Sequence, residues 1–81
     1  MRVKVFVSPR KGILDPQGRA VEHSLQSLGF SGVSDVKIGK YIVLDVTADS
    51  AAKAREQATK MCDRLLANPL IEDYTLEVDG E

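Results

Sequence analysis

Tryptophan is absent from this 81-residue chain, which has one histidine, one cysteine and one asparagine. Each scarcity excludes a chemistry. His23 has no second imidazole to complete a metal site. It also falls on the wet side of an amphipathic run, a solvated position rather than that of a catalytic base. The single thiol, Cys62, permits no intrachain disulfide and leaves no Cys-x-x-Cys pair for a metal carrier. It lies inside an apolar stripe and reads as an inert core thiol. Two Phe, two Tyr and an acidic pI of 5.8 give an RNA-reading sheet neither stacking platforms nor a basic field. No phosphate-loop signature is present, and no apolar run approaches the ~20 residues of a membrane-spanning helix. The chain is thus expected to carry no catalytic, cofactor-binding or metal-binding residues, and to bind neither nucleic acid nor membrane.

Length allows one domain, residues 1–81. A chain this short buries only about 60% of its unfolded surface, which makes self-association a live option. Net charge is −1, yet it is unevenly distributed. Residues 1–45 hold seven Lys/Arg against four Asp/Glu, and residues 46–81 hold four against eight. Two surfaces of opposite sign suit the orientation of a partner. The N-terminus enters an alternating strand at once, so no signal peptide is expected and the cytoplasm is the expected compartment.

Arg2 to Val7 alternates, with Val3, Val5 and Val7 on one face. Pro9 and Gly12 punctuate a loop. Asp15-Pro16 then opens a helix, Asp15 as cap and Pro16 in the first turn. Val21, Leu25 and Leu28 recur at helical spacing. Gly29 suits the left-handed residue that closes the helix, with Phe30 folded back after it. Asp49 or Ser50 can cap a second helix whose stripe is Ala51, Ala54, Ala58, Met61, Cys62 and Leu65. Asn68 is a candidate left-handed stop, and Pro69 prevents continuation. Leu70 to Val78 forms a last strand.

The stretch Val33–Val46 reads as two β-rich runs folded around Gly39-Lys40. The expected order is therefore β-α-β-β-α-β: an α+β two-layer sandwich related to the ferredoxin-like fold, with both helices on one sheet face. The right-handed crossover rule places the first and third strands centrally if they run parallel. With a two-residue turn at Gly39-Lys40, the other face collects Phe6, Val36, Ile38, Tyr41 and Val43. Such a patch is too large to leave in water and is the expected dimer interface. A bulge after Ile38 would instead return Val36 and Ile38 to the core.

A small acylphosphatase-like enzyme of this topology would need an asparagine on a central strand, whereas Asn68 sits at a helix end. Arg10-Lys11 precedes a helix N-terminus where an anion could bind, but Asp15 competes for the same N–H groups. Arg10, Lys11, Gln17 and Lys40 have no evident folding duty, and Gly18 lets a second backbone approach closely. These grounds reach a small α+β domain that associates and has no catalytic set, without naming the assembly; a stand-alone small-anion or regulatory ligand-binding domain of the same topology is the alternative.

Three stretches add a resemblance: Gly12-Ile13-Leu14-Asp15-Pro16-Gln17-Gly18-Arg19-Ala20-Val21, Val36-Lys37-Ile38-Gly39-Lys40-Tyr41, and Met61 through Tyr74. Together they resemble the PurS subunit of bacterial and archaeal phosphoribosylformylglycinamidine synthase, over nearly the whole chain from Val3 to Val78. Ser8-Pro9 departs from the pattern without touching the three stretches. The resemblance implies a small assembly subunit in de novo purine synthesis, without catalytic residues of its own. It implies a complex that converts formylglycinamide ribonucleotide to the amidine with ATP and glutamine-derived ammonia. ATP and Mg are then expected on a separate synthetase subunit and ammonia release on a glutaminase subunit. A PurS-type homodimer, alone or as paired dimers, would bridge the two and support ammonia transfer, with Arg10, Lys11, Gln17, Gly18 and Lys40 as the expected contacts to the partner subunits.

Overall fold

The computed structural model describes residues 1–80; Glu81 lies outside them. Strand β1 (Arg2–Pro9) is central, flanked by β2 (Lys40–Asp45) and β3 (Glu72–Val78), and both pairings are antiparallel. Between β1 and β2 lies α1 (Pro16–Ser27). Between β2 and β3 lies α2 (Ala51–Met61), which runs on into a π-helical turn (Cys62–Leu66).

Alternation along the strands builds the core. Val3, Val5 and Val7 face inward, joined from β2 by Ile42 and Leu44 and from β3 by Tyr74, Leu76 and Val78. Helix α2 seals this face with its smallest side chains: Ala54, Ala58 and Cys62 are wholly buried. An alanine stripe lets helix and sheet approach closely, so one helix is enough to exclude water from three strands. Ser50, not Asp49, caps α2, accepting from the Lys53 N–H at 3.2 Å.

The expected α+β class stands, but four details differ. First, residues 33–38 are extended yet pair with no strand, so this chain runs β-α-β-α-β. The hairpin about Gly39-Lys40 is absent. A far larger one replaces it: β1 and β2 are antiparallel neighbours (Val7 opposite Lys40), and residues 10–39 form its loop. The crossover rule does not apply, because the chain returns beside α1 and meets β1 head to tail. Second, α1 makes no substantial packing with any strand or with α2 among the described residues, and Val21 and Leu28 are exposed.

Third, the second-helix stripe ends differently. The Ala67 N–H donates to the Cys62 carbonyl at 3.0 Å, five residues back. That wider turn rotates Leu66 onto the core and leaves Leu65 outside, with Met61 also exposed. Fourth, Asn68 is not left-handed. Its side-chain oxygen accepts from the Leu70 N–H (3.0 Å) and its carbonyl from the N–H groups of Ile71 and Glu72. This makes it the corner into β3, a turn-forming task suited to asparagine.

Candidate functional site

Residues 10–39 form an arm, and the physics of α1 explains how it holds together. Asp15 caps the helix as expected, its Oδ1 accepting from the Gly18 N–H at 3.1 Å. Its Oδ2 does something the sequence did not reveal, accepting from the Ile38 N–H at 2.7 Å. Two turns and then three turns further along α1 the device is repeated. Glu22 Oε1 accepts from the Val36 N–H at 3.2 Å, and Gln26 Nε2 donates to the Val33 carbonyl at 3.1 Å. The extended run 33–38 is thus strapped along α1 by side chains rather than by a strand ladder. The two backbone donors lower the Asp15 carboxyl below its ordinary 3.8, that of Ile38 contributing most.

Gly18 is where strap and helix touch. A Cβ there would lie 2.1 Å from the Val36 carbonyl oxygen, so the expected close backbone approach is present. At the far end the helix closes as read from Gly29-Phe30. The Phe30 N–H reaches the Leu25 carbonyl and the Gly29 N–H that of Gln26, with Gly29 at φ 103°. Beside the strap lies an open cleft of about 460 Å³ lined by Gly12–Asp15, Arg19, Glu22 and Asp35–Lys37.

The expected dimer patch is divided. Phe6 and Tyr41 are cross-strand partners on the outer sheet face, their rings stacked with centroids 5.1 Å apart, and Val43 lies beside them. All three are exposed. Val36 and Ile38 are not on the sheet, because the turn that would have put them there does not form. They belong to the strap instead.

The five expected partner-contact residues also separate. Arg10 and Lys40 converge on the corner between the π-helical turn and β3. The Arg10 N–H donates to the Ile71 carbonyl (2.8 Å) and its Nε pairs with Asp73 (3.6 Å). Lys40 Nζ donates to the Leu66 carbonyl at 3.1 Å and lies 3.8 Å from Glu72. Lys40 therefore has a folding duty after all: it holds a carbonyl that the π-helical turn leaves open. It stands at the first residue of β2, not at a hairpin tip. Glu72 in turn accepts from the Asn68 N–H at 2.7 Å. A small pocket of about 180 Å³ lies on this corner, against Arg10, Asp63, Asp73 and Tyr74. Tyr74 Oη donates to Asp63 at 2.8 Å, which with partial burial pushes the phenol up to about 12. Gly18 is buried, while Lys11 and Gln17 are exposed on the arm.

Among the described residues no group of His, Cys, Asp or Glu is placed to hold a metal, and no helix is long and apolar enough to cross a membrane. Burial, with Asp63 nearby, raises the Cys62 thiol above its ordinary value, as for a core thiol. What the site offers is surface: a strapped arm, a bare apolar sheet face and a charged corner.

A family model described as PurS, phosphoribosylformylglycinamidine (FGAM) synthase, matches residues 2–80. The Synechocystis sp. PCC 6803 protein called phosphoribosylformylglycinamidine synthase subunit PurS is 49% identical over 75 residues, 93% of this chain and 75% of that protein. The structure of Bacillus subtilis PurS superposes with a TM-score of 0.82 at 46% identity, covering 96% of each chain. A chain in the structure of PurLQS from Thermotoga maritima does so with a TM-score of 0.86 at 32% identity, covering 95% of this chain and 94% of that one.

Proposed function

The chain belongs to the PurS family of phosphoribosylformylglycinamidine synthase, and from that premise we propose that it is the small, non-catalytic assembly subunit of such a complex. One observation carries the reading. The same fold occurs in the Thermotoga maritima PurLQS structure over 95% of this chain. In this proposal the chain acts as a homodimer that bridges a synthetase subunit and a glutaminase subunit. The reaction is the ATP-dependent conversion of FGAR to FGAM in purine biosynthesis, with glutamine as amide donor. ATP and magnesium belong to the synthetase subunit. This chain positions its partners so that ammonia passes between them in the cytoplasm.

The physical features agree with that work. The outer face of β1 and β2 presents Phe6, Tyr41 and Val43 to a second protein surface. Lys11 and Gln17 stand exposed on the arm. Reconstitution tests the reading. Glutamine-dependent FGAM formation should appear when this chain is added to the synthetase and glutaminase subunits and be absent without it. Equal glutamine-dependent activity from the two larger subunits alone would reject it.

A further inference from the structure

We propose that the corner between the π-helical turn and β3 docks a subunit of different sequence, with Leu65 and Leu70 entering an apolar socket whose rim carries a carboxylate. The proposal rests on the assembly reading above and gives it a contact surface apart from the Phe6, Tyr41 and Val43 face.

Leu65 is 83% exposed and Leu70 82%, the highest values of any large apolar side chain among the described residues, and Ile71 is exposed next to Leu70. The core does not need them, because Cys62, Leu66 and Ala67 already close the inner sheet face at this end. The π-helical turn holds Leu65 outside, where a regular helix would have carried it onto the buried stripe. The corner is also tied from all three strands. The Arg10 N–H, just past β1, donates to the Ile71 carbonyl, and the Arg10 side chain pairs with Asp73. Lys40 of β2 donates to the Leu66 carbonyl, and Tyr74 of β3 donates to Asp63. The Asn68 N–H donates to Glu72. Two leucines on a free loop would be ordinary. Two leucines on a corner fixed in advance lose little freedom on binding, which favours a docking surface.

Charge decides what covers the corner. Asp63, Glu72 and Asp73 are engaged with Tyr74, Lys40 and Arg10 respectively. Arg64 stands exposed between Asp63 and Leu65 and forms no ion pair among the described residues. A two-fold pairing of the corner with its own copy would set one surplus cation against another and offer neither Arg64 a free carboxylate. A second copy of the chain is therefore the poorer occupant. A subunit of different sequence can present the apolar socket and the carboxylate together, the ordinary division of an interface into apolar core and polar rim. A bridging chain has such subunits as its partners.

Binding measurements on the full chain test this. The synthetase and glutaminase subunits are titrated, singly and as a mixture, with the parent chain and with a double variant carrying Leu65→Glu and Leu70→Glu. The double variant should bind one of the two subunits about tenfold more weakly or worse. Its sedimentation mass and urea midpoint should match the parent's, since neither side chain is buried. Arg64→Glu leaves both leucines in place. It should weaken binding of the same subunit about threefold or more at low salt, and less at high salt. Unchanged binding by the double variant would overturn the docking surface and leave the assembly reading intact. An altered mass of the double variant on its own, with subunit binding unchanged, would assign the corner to a second copy and overturn the proposal equally. Failure of the parent chain to bind either subunit, singly or mixed, would reject the assembly reading itself.

Discussion

Gly39 lies against the backbone of Val7 so closely that a Cβ on it would fall 2.2 Å from the Val7 carbonyl oxygen. Its backbone is not left-handed, so the glycine is required for space and not for conformation. Gly18 meets the Val36 carbonyl in the same way at 2.1 Å. In both cases the obstacle is backbone, which cannot swing aside like a side chain. Gly39→Ala and Gly18→Ala should each cost roughly 1–3 kcal/mol or more. Gly32, with open space around its Cβ direction, provides the control: Gly32→Ala should stay within about 0.5 kcal/mol of the parent. Urea midpoints of the three variants decide it, and a neutral Gly39→Ala would contradict the close approach.

Asp15 ties helix and strap through a carboxylate, which makes the tie pH-dependent. Its folded value is lowered below 3.8 by the Ile38 and Gly18 N–H groups. A lowered carboxylate contributes stability above its unfolded value, and that contribution is lost as pH falls through the folded value. Asp15→Asn should therefore be less stable than the parent near neutral pH. The gap should narrow only as pH drops below about 3.8, where the parent's own carboxylate takes up a proton. Melting curves of both chains from neutral pH to about pH 2 show this directly, because the other carboxylates are common to both and cancel. Parallel curves throughout would mean that the carboxylate is not what the strap uses.

The same residue marks the limit of what could be read in advance. Asp15-Pro16, Gly29-Phe30, the Val3/Val5/Val7 alternation and the alanine stripe of α2 obey local rules, and local rules placed them correctly. The run 33–38 has a strand's composition, but a strand needs a neighbouring ladder, and nothing local says that α1 will supply side chains instead. Glu22 and Gln26 held the only hint, two hydrogen-bonding side chains four apart on one face of α1, and on a helix surface that pattern is ordinary. The bare apolar face of Phe6, Tyr41 and Val43 was legible because alternation fixes which side chains share a face. Its loss of Val36 and Ile38 was not, because it turned on the path of the chain around Gly39.

Lys11 and Lys40 were equivalent in the sequence and are not equivalent in the fold. Lys40 holds the Leu66 carbonyl and lies near Glu72, whereas Lys11 is exposed in the turn before α1. Charge reversal at each should separate partner contact from folding. Lys11→Glu should leave the melting temperature unchanged and weaken association with the synthetase and glutaminase subunits. Lys40→Glu should weaken that association and also lower stability by about 1 kcal/mol, as a carboxylate replaces the donor beside Glu72. Thermal melts paired with gel filtration of the three-subunit mixture give both readouts. Full assembly by Lys11→Glu would remove the arm's basic turn from the partner surface.

Leu65 and Leu66 test the π-helical turn itself. In an unbroken α-helix, Leu65 would follow Ala54, Ala58 and Cys62 onto the core stripe. The hydrogen bond from the Ala67 N–H to the Cys62 carbonyl spans five residues instead, and the extra residue rotates the stripe by one position. Leu66 packs against the core, and Leu65 is 83% exposed. Leu66→Ala should therefore cost roughly 1–3 kcal/mol, less than a wholly buried leucine because its side chain is only partly covered. Leu65→Ala should stay within about 0.5 kcal/mol. Both variants keep high helix propensity, so the comparison reads packing alone. The opposite ranking in urea unfolding would restore the regular helix. It would also free the Leu66 carbonyl from Lys40, since a straight last turn would aim that oxygen elsewhere.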